Sequence, residues 1–357
     1  SAGKIARIRV IGQGTAAIAG RSLVQLLRTL VDHRVQVDAL PATELSGFQL
    51  QLDMSDTLVI AISQSGTTTD TNRTVDLARS RGASVLAIVN RRGSELAAKA
   101  DGVLYTSDGR DVEMSVASTK AFYSQVSAGA LLACALSSAL GSGTDAARHQ
   151  LLTALRTVPD AMNRVLEMRP QIAQAARQFA PARRYWTVVG NGFNAVAAEE
   201  VRIKLSELSY KSIACDITED KKHIDLSCEP MIFVCAAGLS DGTAADVAKE
   251  IAIFRAHKAL PIVVATQGEQ RFDAAAAVIS VPQVDPSVAF ILSVMVGHIF
   301  GYEAALAIDA LARPLRACRE VVEHAVERGG IGSELLVKVR AEIGVPATRF
   351  FDALTTG

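Results

Sequence analysis

Thr57-Leu-Val-Ile-Ala-Ile-Ser63-Gln-Ser-Gly-Thr-Thr-Thr-Asp70 is the stretch on which the reading of this chain turns. Thr57–Ile62 is a compact apolar run, stopped by Ser-Gln-Ser-Gly, and a helical pattern follows over about Asp70–Arg81. A short apolar run closed by turn residues and followed by a helix reads as one strand of a parallel sheet with its crossover helix. In open α/β sheets, ligands sit at the carboxyl ends of such strands. The first turn of the next helix also exposes unpaired backbone N–H groups and the positive end of the helix dipole. Ser63, Ser65 and Thr68 would add hydroxyls, and Gln64 lies between them. The loop has no Lys and no Asp placed for a metal, so it is not a nucleotide-triphosphate loop. A cradle for a phosphate monoester and an ordinary Ser/Thr helix cap both fit this placement.

The same pattern extends outward on both sides. Ile8–Ile11 ends in Gly12-Gln13-Gly14 and precedes a helix over about Ile18–Leu30. Arg34–Leu40, Ser84–Val89 (ending at Asn90) and Gly102–Tyr105 read as further strands, and Thr119–Leu140 as a long helix. Asp145–Phe179 is helical in pattern, interrupted by Pro159 and Pro170, and reads as an inter-domain connector. The alternation then restarts: strand Tyr185–Val189 ending in Gly190-Asn191-Gly192, helix Ala195–Tyr210, strand Met231–Cys235, helix Thr243–His257, strands Pro261–Ala265 and Val278–Val281, and long helix Pro286–Leu311. Strand, Gly-x-Gly turn, helix and later a strand stopped by a Gly-containing loop occur in one order twice. The expected fold class is α/β: two tandem three-layer α/β/α sandwiches with parallel sheets, plus a helical C-terminal extension. The expected organisation is residues 1–144, a connector over 145–180, residues 181–312, and an extension over 313–357.

Composition limits the functions open to this fold. Lys plus Arg number 37 and Asp plus Glu number 37 in 357 residues, so the formal net charge is zero. Without a basic excess or run there is no electrostatic case for nucleic acid or an acidic membrane. Mean hydropathy is +0.24. The apolar runs Ala128–Leu140 and Val288–Leu306 are broken by polar residues, so they read as buried or interface helices rather than membrane spans. Five cysteines without a C-x-x-C pair argue against a zinc site or a disulfide framework and for a reducing compartment. No charged-then-apolar leader opens the sequence, and a cytoplasmic location is expected. The chain also starts without Met, which permits it to be a piece of a longer polypeptide.

Several other residues carry candidate chemistry. Gly12-Gln13-Gly14-Thr15 lacks the third glycine of a dinucleotide fingerprint, since Ala17 stands there; neither a nicotinamide cofactor nor a metal is expected. Val116-Ala117-Ser118-Thr119-Lys120 puts small and hydroxylated residues before a long helix, as a ligand loop or as a cap. Glu200, Lys204 and Glu207 share one helix face, an arrangement that is most often a solvated ion pair. His223 lies in Glu219-Asp220-Lys221-Lys222-His223-Ile224-Asp225, read as a polar loop, and is a side chain that titrates near neutral pH.

Taken together, Gly14-Thr15, the Ser63–Thr71 run, Asn90, Glu113 and Val116-Ala-Ser-Thr-Lys-Ala-Phe122 resemble the sugar isomerase (SIS) family. They most resemble the isomerase modules of the glucosamine-6-phosphate synthases. Lys204-Leu-Ser-Glu-Leu-Ser-Tyr210 is similar to that family's K-L-K-E-I-S-Y, and the resemblance covers about Ile8 to Glu323. It implies two SIS-type lobes and a phosphosugar aldose–ketose isomerase acting on fructose 6-phosphate or a relative, with ammonia as the co-substrate that would give the amino sugar. It assigns Ser63, Gln64, Ser65 and Thr68 to the phosphate, Thr15, Val116 and Ser118 to the sugar, Glu207 to proton transfer beside Lys204, and His223 to ring opening. In the family that histidine comes from the neighbouring subunit, so a homodimer is implied. The chemistry suits these types: a shielded carboxylate moves the proton between adjacent carbons, and neutral imidazole opens the ring.

The chain departs from that pattern in two places. The family's G-E-L-K-H-G-P loop is here E-D-K-K-H-I-D, which keeps Lys222 and His223. The tail segment that bears a lysine in the family reads Arg313-Pro-Leu-Arg-Ala-Cys-Arg319, and Arg cannot deprotonate to form an imine. The family's glutaminase would lie upstream in a longer polypeptide. Two other functions remain open: a non-catalytic SIS regulator that binds phosphosugars, and an SIS-type amino-sugar-phosphate deaminase or deglycase.

Overall fold

A computed structural model describes residues 5–108, 113, 115, 117–223, 226–329 and 332–356. Its first sheet holds β1 (Arg7–Gly12), β2 (Gln36–Pro41), β3 (Thr57–Ser63), β4 (Ser84–Val89) and β5 (Gly102–Tyr105) in the order β2-β1-β3-β4-β5. All its pairings are parallel, with Arg7 opposite both Gln36 and Thr57. β3, in the centre, is buried at every residue, which explains its continuous apolar run. The second sheet holds β6 (Trp186–Gly190), β7 (Ala214–Asp216), β8 (Met231–Ala236), β9 (Leu260–Thr266) and β10 (Ala277–Val281). Its order, β7-β6-β8-β9-β10, repeats that of the first sheet strand for strand.

The helices of the first lobe are α1 (Thr15–Leu30), the short α2 (Ala42–Glu44, continued by a π turn over Leu45–Gln49), α3 (Thr69–Ser80), α4 (Glu95–Lys99) and α5 (Lys120–Ala139). The chain goes on through α6 (Asp145–Glu167), α7 (Arg169–Phe179), α8 (Phe193–Ser209), α9 (Thr218–His223), α10 (Asp241–Ala256), α11 (Pro286–Glu327) and α12 (Ser333–Thr356). Helices α1, α5, α8 and α11 form the layer between the sheets. Leu23, Val126, Val201 and Phe290 from these four helices belong to one apolar core that both lobes share. The outer faces have cores of their own, around Val75 of α3 and Phe254 of α10. Burying an apolar side chain of this size contributes about 1.5–3 kcal/mol. The shared core therefore helps to hold the two lobes against each other.

The structure corrects three readings of the sequence. Pro159 does not interrupt the connector: α6 runs through it, and the break comes at Met168, with Pro170 in the first turn of α7. Pro159 faces solvent, and water can satisfy the carbonyl one turn back that loses its N–H partner. The segment read as a polar loop forms the short helix α9 as far as His223; Ile224 and Asp225 lie outside the described residues. The long helix α11 does not stop at Leu311 but runs on through Pro314 to Glu327, 42 residues in all, and α12 packs back along it. Among the described residues α11 alone is long and apolar enough to cross a membrane, yet 61% of its apolar window is buried inside the protein. That is how a core helix of a soluble fold looks.

Candidate active site

The decisive loop lies at the carboxyl end of β3. Gly66 adopts φ +66°, and a β-carbon there would lie 2.2 Å from Ser94 Oγ and 2.9 Å from Val89 Cγ2. Only glycine fits both the conformation and the space. Below it, Asn72 Nδ2 donates to the carbonyls of Gly66 (3.2 Å) and Thr68 (3.1 Å), which ties the loop to α3. Ser63 Oγ accepts from Gly66 N at 3.0 Å and lies 3.3 Å from Thr68 Oγ1. Thr68 is the N-cap residue of α3, but its side chain makes no capping bond. The sequence left a helix cap and an anion cradle open, and this geometry favours the cradle. The hydroxyl turns toward Ser63, and the N–H groups of the first turn keep their donors for a ligand.

A cleft of about 260 Å³ opens in front of this loop. Ser63, Gln64, Ser65 and Thr68 line one side. Gln13, Gly14 and Thr15 line another, at the start of α1, where Gly14 (φ +54°) also leaves the helix without a side-chain cap. Ser118 reaches in from the segment before α5, its Oγ donating to Glu113 Oε2 at 2.6 Å. The same carboxylate accepts from Thr119 N at 2.7 Å, so Glu113 fixes the approach to α5. Gln125 lines the floor; its side-chain carbonyl oxygen is buried without a partner. Three helix N-termini of lobe 1 thus meet on one polar cleft, an environment suited to a phosphate.

The fourth wall comes from lobe 2. Glu207 of α8 lines the cleft, and its Oε2 accepts from Lys204 Nζ at 2.7 Å. Spacing alone suggested a solvated ion pair. Lys204 is instead 1% exposed, with Glu200 Oε1 3.7 Å from its ammonium. The Glu207 side chain is 34% exposed, so within one chain it is less shielded than a proton-transferring carboxylate was expected to be. Thr15 Oγ1 donates to Glu200 Oε1 at 3.2 Å, joining the start of α1 to α8 across the lobes. Close by, Arg21 pairs with Glu199. Burial, working against that partner, holds the Glu199 carboxyl above the ordinary range.

Of the residues singled out in the sequence, the structure brings Thr15, Ser63, Gln64, Ser65, Thr68, Ser118 and Glu207 to one cleft and seats Lys204 directly behind it. Val116 lies outside the described residues. His223 does not line the cleft; it ends α9, 70% exposed, with Nε2 3.4 Å from Glu219 Oε1. Arg313, Arg316 and Arg319 lie on the exposed continuation of α11, paired with Asp309 and Glu323, and take no part in the cleft. Sequence reasoning missed Gln13 and Gln125. The one signal for Gln125 was a polar residue on the buried stripe of an otherwise apolar helix.

This fold and this cleft define a class of protein: a duplicated α/β sandwich with an uncapped, hydroxyl-rich loop on one lobe and a carboxylate–lysine pair on the other. The SIS domain family model matches residues 4–135, so the chain carries a SIS domain. Along 309 residues it is 33% identical to glutamine–fructose-6-phosphate aminotransferase [isomerizing] of Thermus thermophilus, covering 85% of this chain and 50% of that relative. The enzyme of the same name from Halobacterium salinarum is 35% identical over 206 residues, 58% of this chain and 33% of the relative. The chain spans about half the length of the first of these and a third of the second. It carries a SIS domain and matches part of those aminotransferases. Among solved structures, the C-terminal domain of glucosamine-fructose-6-phosphate aminotransferase from Francisella tularensis superposes with a TM-score of 0.77 at 21% identity, covering 85% of each chain. Tagatose-6-phosphate ketose/aldose isomerase from Escherichia coli superposes with a TM-score of 0.68 at 19% identity, covering 85% of this chain and 82% of that one. At these identities both likenesses speak for the fold.

Proposed function

We propose that the chain is a phosphosugar aldose–ketose isomerase module acting on fructose 6-phosphate or a close relative, with ammonia as the second substrate when the amino sugar is formed. One observation carries this reading: Glu207, held from behind by Lys204, lines the same cleft as the uncapped loop Ser63–Thr68. The loop would hold the phosphate through Ser63, Ser65 and Thr68 hydroxyls and the α3 N–H groups. Thr15 and Ser118, with Val116, would line the sugar.

Glu207 takes a proton from C1 of the open-chain ketose, and the electrons of that C–H bond pass into a C1–C2 double bond. The carbonyl oxygen at C2 gains a proton, giving an enediol. Glu207 then returns its proton to C2 as the O1 hydroxyl loses its own, which leaves the aldose. The Lys204 ammonium holds the carboxylate in place through their 2.7 Å bond and stabilises the negative charge that develops on the enediol oxygens. Ring opening falls to His223 of a second copy of the chain in a homodimer, since the chain's own His223 is absent from its own cleft. Nitrogen supply falls to a glutaminase domain upstream in a longer cytoplasmic polypeptide.

A second reading has an observation of its own. α11 continues as a helix through Arg313–Arg319, so this segment offers no lysine for an imine. A phosphosugar-binding regulator without turnover fits that feature. Incubation with fructose 6-phosphate in deuterated buffer, with and without ammonium, separates the two. The isomerase reading expects deuterium at the carbon next to the carbonyl and a new aldose or amino-sugar phosphate. Saturable binding with no exchange would overturn it in favour of the regulator.

A further inference from the structure

Behind the Lys204–Glu207 pair lies a group of buried titratable side chains that the isomerisation scheme does not use. Glu200 is completely buried, and its Oε2 has no hydrogen-bond partner. Its other oxygen, Oε1, faces Thr15 Oγ1 (3.2 Å), Lys204 Nζ (3.7 Å) and His298 Nε2 of α11 (3.5 Å). His298 is itself nearly buried, and Nε2 forms no hydrogen bond: it approaches Glu200 Oε1 without closing one. Its Nδ1 lies 2.8 Å from the hydroxyl of Tyr123 on α5. Phe122 and Tyr123 meet the ring edge-on, with centroids at 6.5 and 5.5 Å, and fix its plane.

Chemistry assigns the protons along this chain. Burial and, after it, the Glu200 charge push the Tyr123 phenol well above its ordinary range, so it stays protonated. A carboxylate only accepts, so a hydrogen on the nitrogen that faces Glu200 is the arrangement that complements it, and Nδ1 then accepts from Tyr123. Two carboxylates, Glu200 and Glu207, compete for one ammonium. Lys204 Nζ sits 2.7 Å from Glu207 and 3.7 Å from Glu200 although Glu200 is the more buried of the two. A buried carboxylate without donors would be expected to draw the ammonium to itself. Some other donor has to offset that pull, and Thr15 and His298 are the two in place.

We propose that His298, its tautomer fixed by Tyr123, is a positioning residue for the acid–base pair: its Nε2–H faces Glu200 and so leaves the Lys204 ammonium on Glu207. The structural part of this inference stands on geometry alone; its effect on rate rests on the isomerase reading.

The test compares three variants of the full chain with the parent. Crystal structures of the parent and His298→Gln should keep Lys204 Nζ on Glu207, because the Gln amide places a donor near the position of Nε2. In His298→Leu the ammonium should move onto Glu200. With fructose 6-phosphate, His298→Leu should lower kcat at least about tenfold with KM within about twofold, and His298→Gln should recover most of the loss. Lys204 remaining on Glu207 in His298→Leu would overturn the proposal. So would equal damage from Leu and Gln, which would mean that His298 only fills space. Should His298→Leu fail to fold, Tyr123→Phe decides. Imidazole ¹⁵N spectra should show a single Nε2–H tautomer in the parent and a mixture in Tyr123→Phe, and an Nδ1–H tautomer in the parent would refute the assignment. If the parent turns over no sugar phosphate, the isomerase reading falls while the structures and spectra still decide the role of His298.

Discussion

The two lobes share a backbone and differ in what lines it. Gly14 (φ 54°, ψ −131°) and Gly192 (φ 58°, ψ −127°) make nearly the same turn into α1 and α8. After that turn lobe 1 has Thr15 and lobe 2 has Phe193, which stacks on Phe290 at 5.6 Å. At the end of the central strand lobe 1 has Ser63, Gln64, Ser65 and Thr68, whereas lobe 2 has Ala237, Gly238 and Leu239. In lobe 2 the N–H of Gly238 is already taken by Thr266 Oγ1 at 2.8 Å. Lobe 2 also has a cleft there, of about 290 Å³, but Phe193, Leu239, Pro286 and Asp246 line it. Both lobes thus place a helix N-terminus at the edge of a sheet, and the hydroxyl-rich loop Ser63–Thr68 is what lobe 1 adds to it. Lobe 2 contributes instead through the inner face of α8, where Glu200, Lys204 and Glu207 turn toward the first lobe.

Substitutions can break this division of labour. The largest effect is expected from Glu207→Gln, which keeps the shape but removes the base. Solvent proton exchange should fall about 10²–10⁴-fold while phosphosugar binding persists, as read by NMR in deuterated buffer beside a binding isotherm. Ser63→Ala comes next. It removes one hydroxyl from the cradle, and hydrogen bonds to charged groups contribute about 1.5–3 kcal/mol. KM should therefore rise roughly tenfold or more with kcat little changed. Removing a hydroxyl from the lobe 2 cleft instead, in Thr243→Ala, should leave both constants alone; an equal effect from both would sink the asymmetry.

Gly66→Ala and Gly238→Ala sharpen the comparison through stability. Both glycines have positive φ, and a β-carbon would meet Ser94 Oγ at 2.2 Å in one lobe and the Ala289 β-carbon at 2.6 Å in the other. Each change should cost about 1–3 kcal/mol in denaturant titration, but only Gly66→Ala should also weaken phosphate binding. The smallest effect concerns the seam. Because burial raises the Glu199 carboxyl in the folded state, its contribution is fully present below the ordinary glutamate pKa and is lost as pH rises through the raised value. Relative to Glu199→Gln, the parent should lose stability between acid and neutral pH, as seen in paired thermal melts. A parent that gains stability over that window would show that the Arg21 pair outweighs burial.

Much of lobe 1 could be read from the sequence because its signals are local. β4 and β5 come out at the bounds expected, β3 one residue longer, and α3 starts one residue early. The hydroxyl loop follows directly from its place between them. Lobe 2 was less legible at α9, where six mostly polar residues carry no apolar periodicity, so the segment looked like a loop. β7, at three residues, is too short for any pattern. The buried chain from Thr15 to Tyr123 was invisible for another reason. Tyr123 and His298 are 175 positions apart, and nothing near either residue marks it as the partner of the other. Glu200, Lys204 and Glu207 could be placed on one face, but their burial could not, since it depends on α1 and α11 closing over α8.

The seam between the lobes acts as a gauge. The proposed phosphate seat belongs to one lobe and the base to the other, so the span between them is set by how α1 lies on α8, pinned by Thr15–Glu200 and Arg21–Glu199. On the proposed reading, a sugar phosphate would be measured by length. One carbon too few, and it can sit in the cradle or reach the carboxylate, but not both.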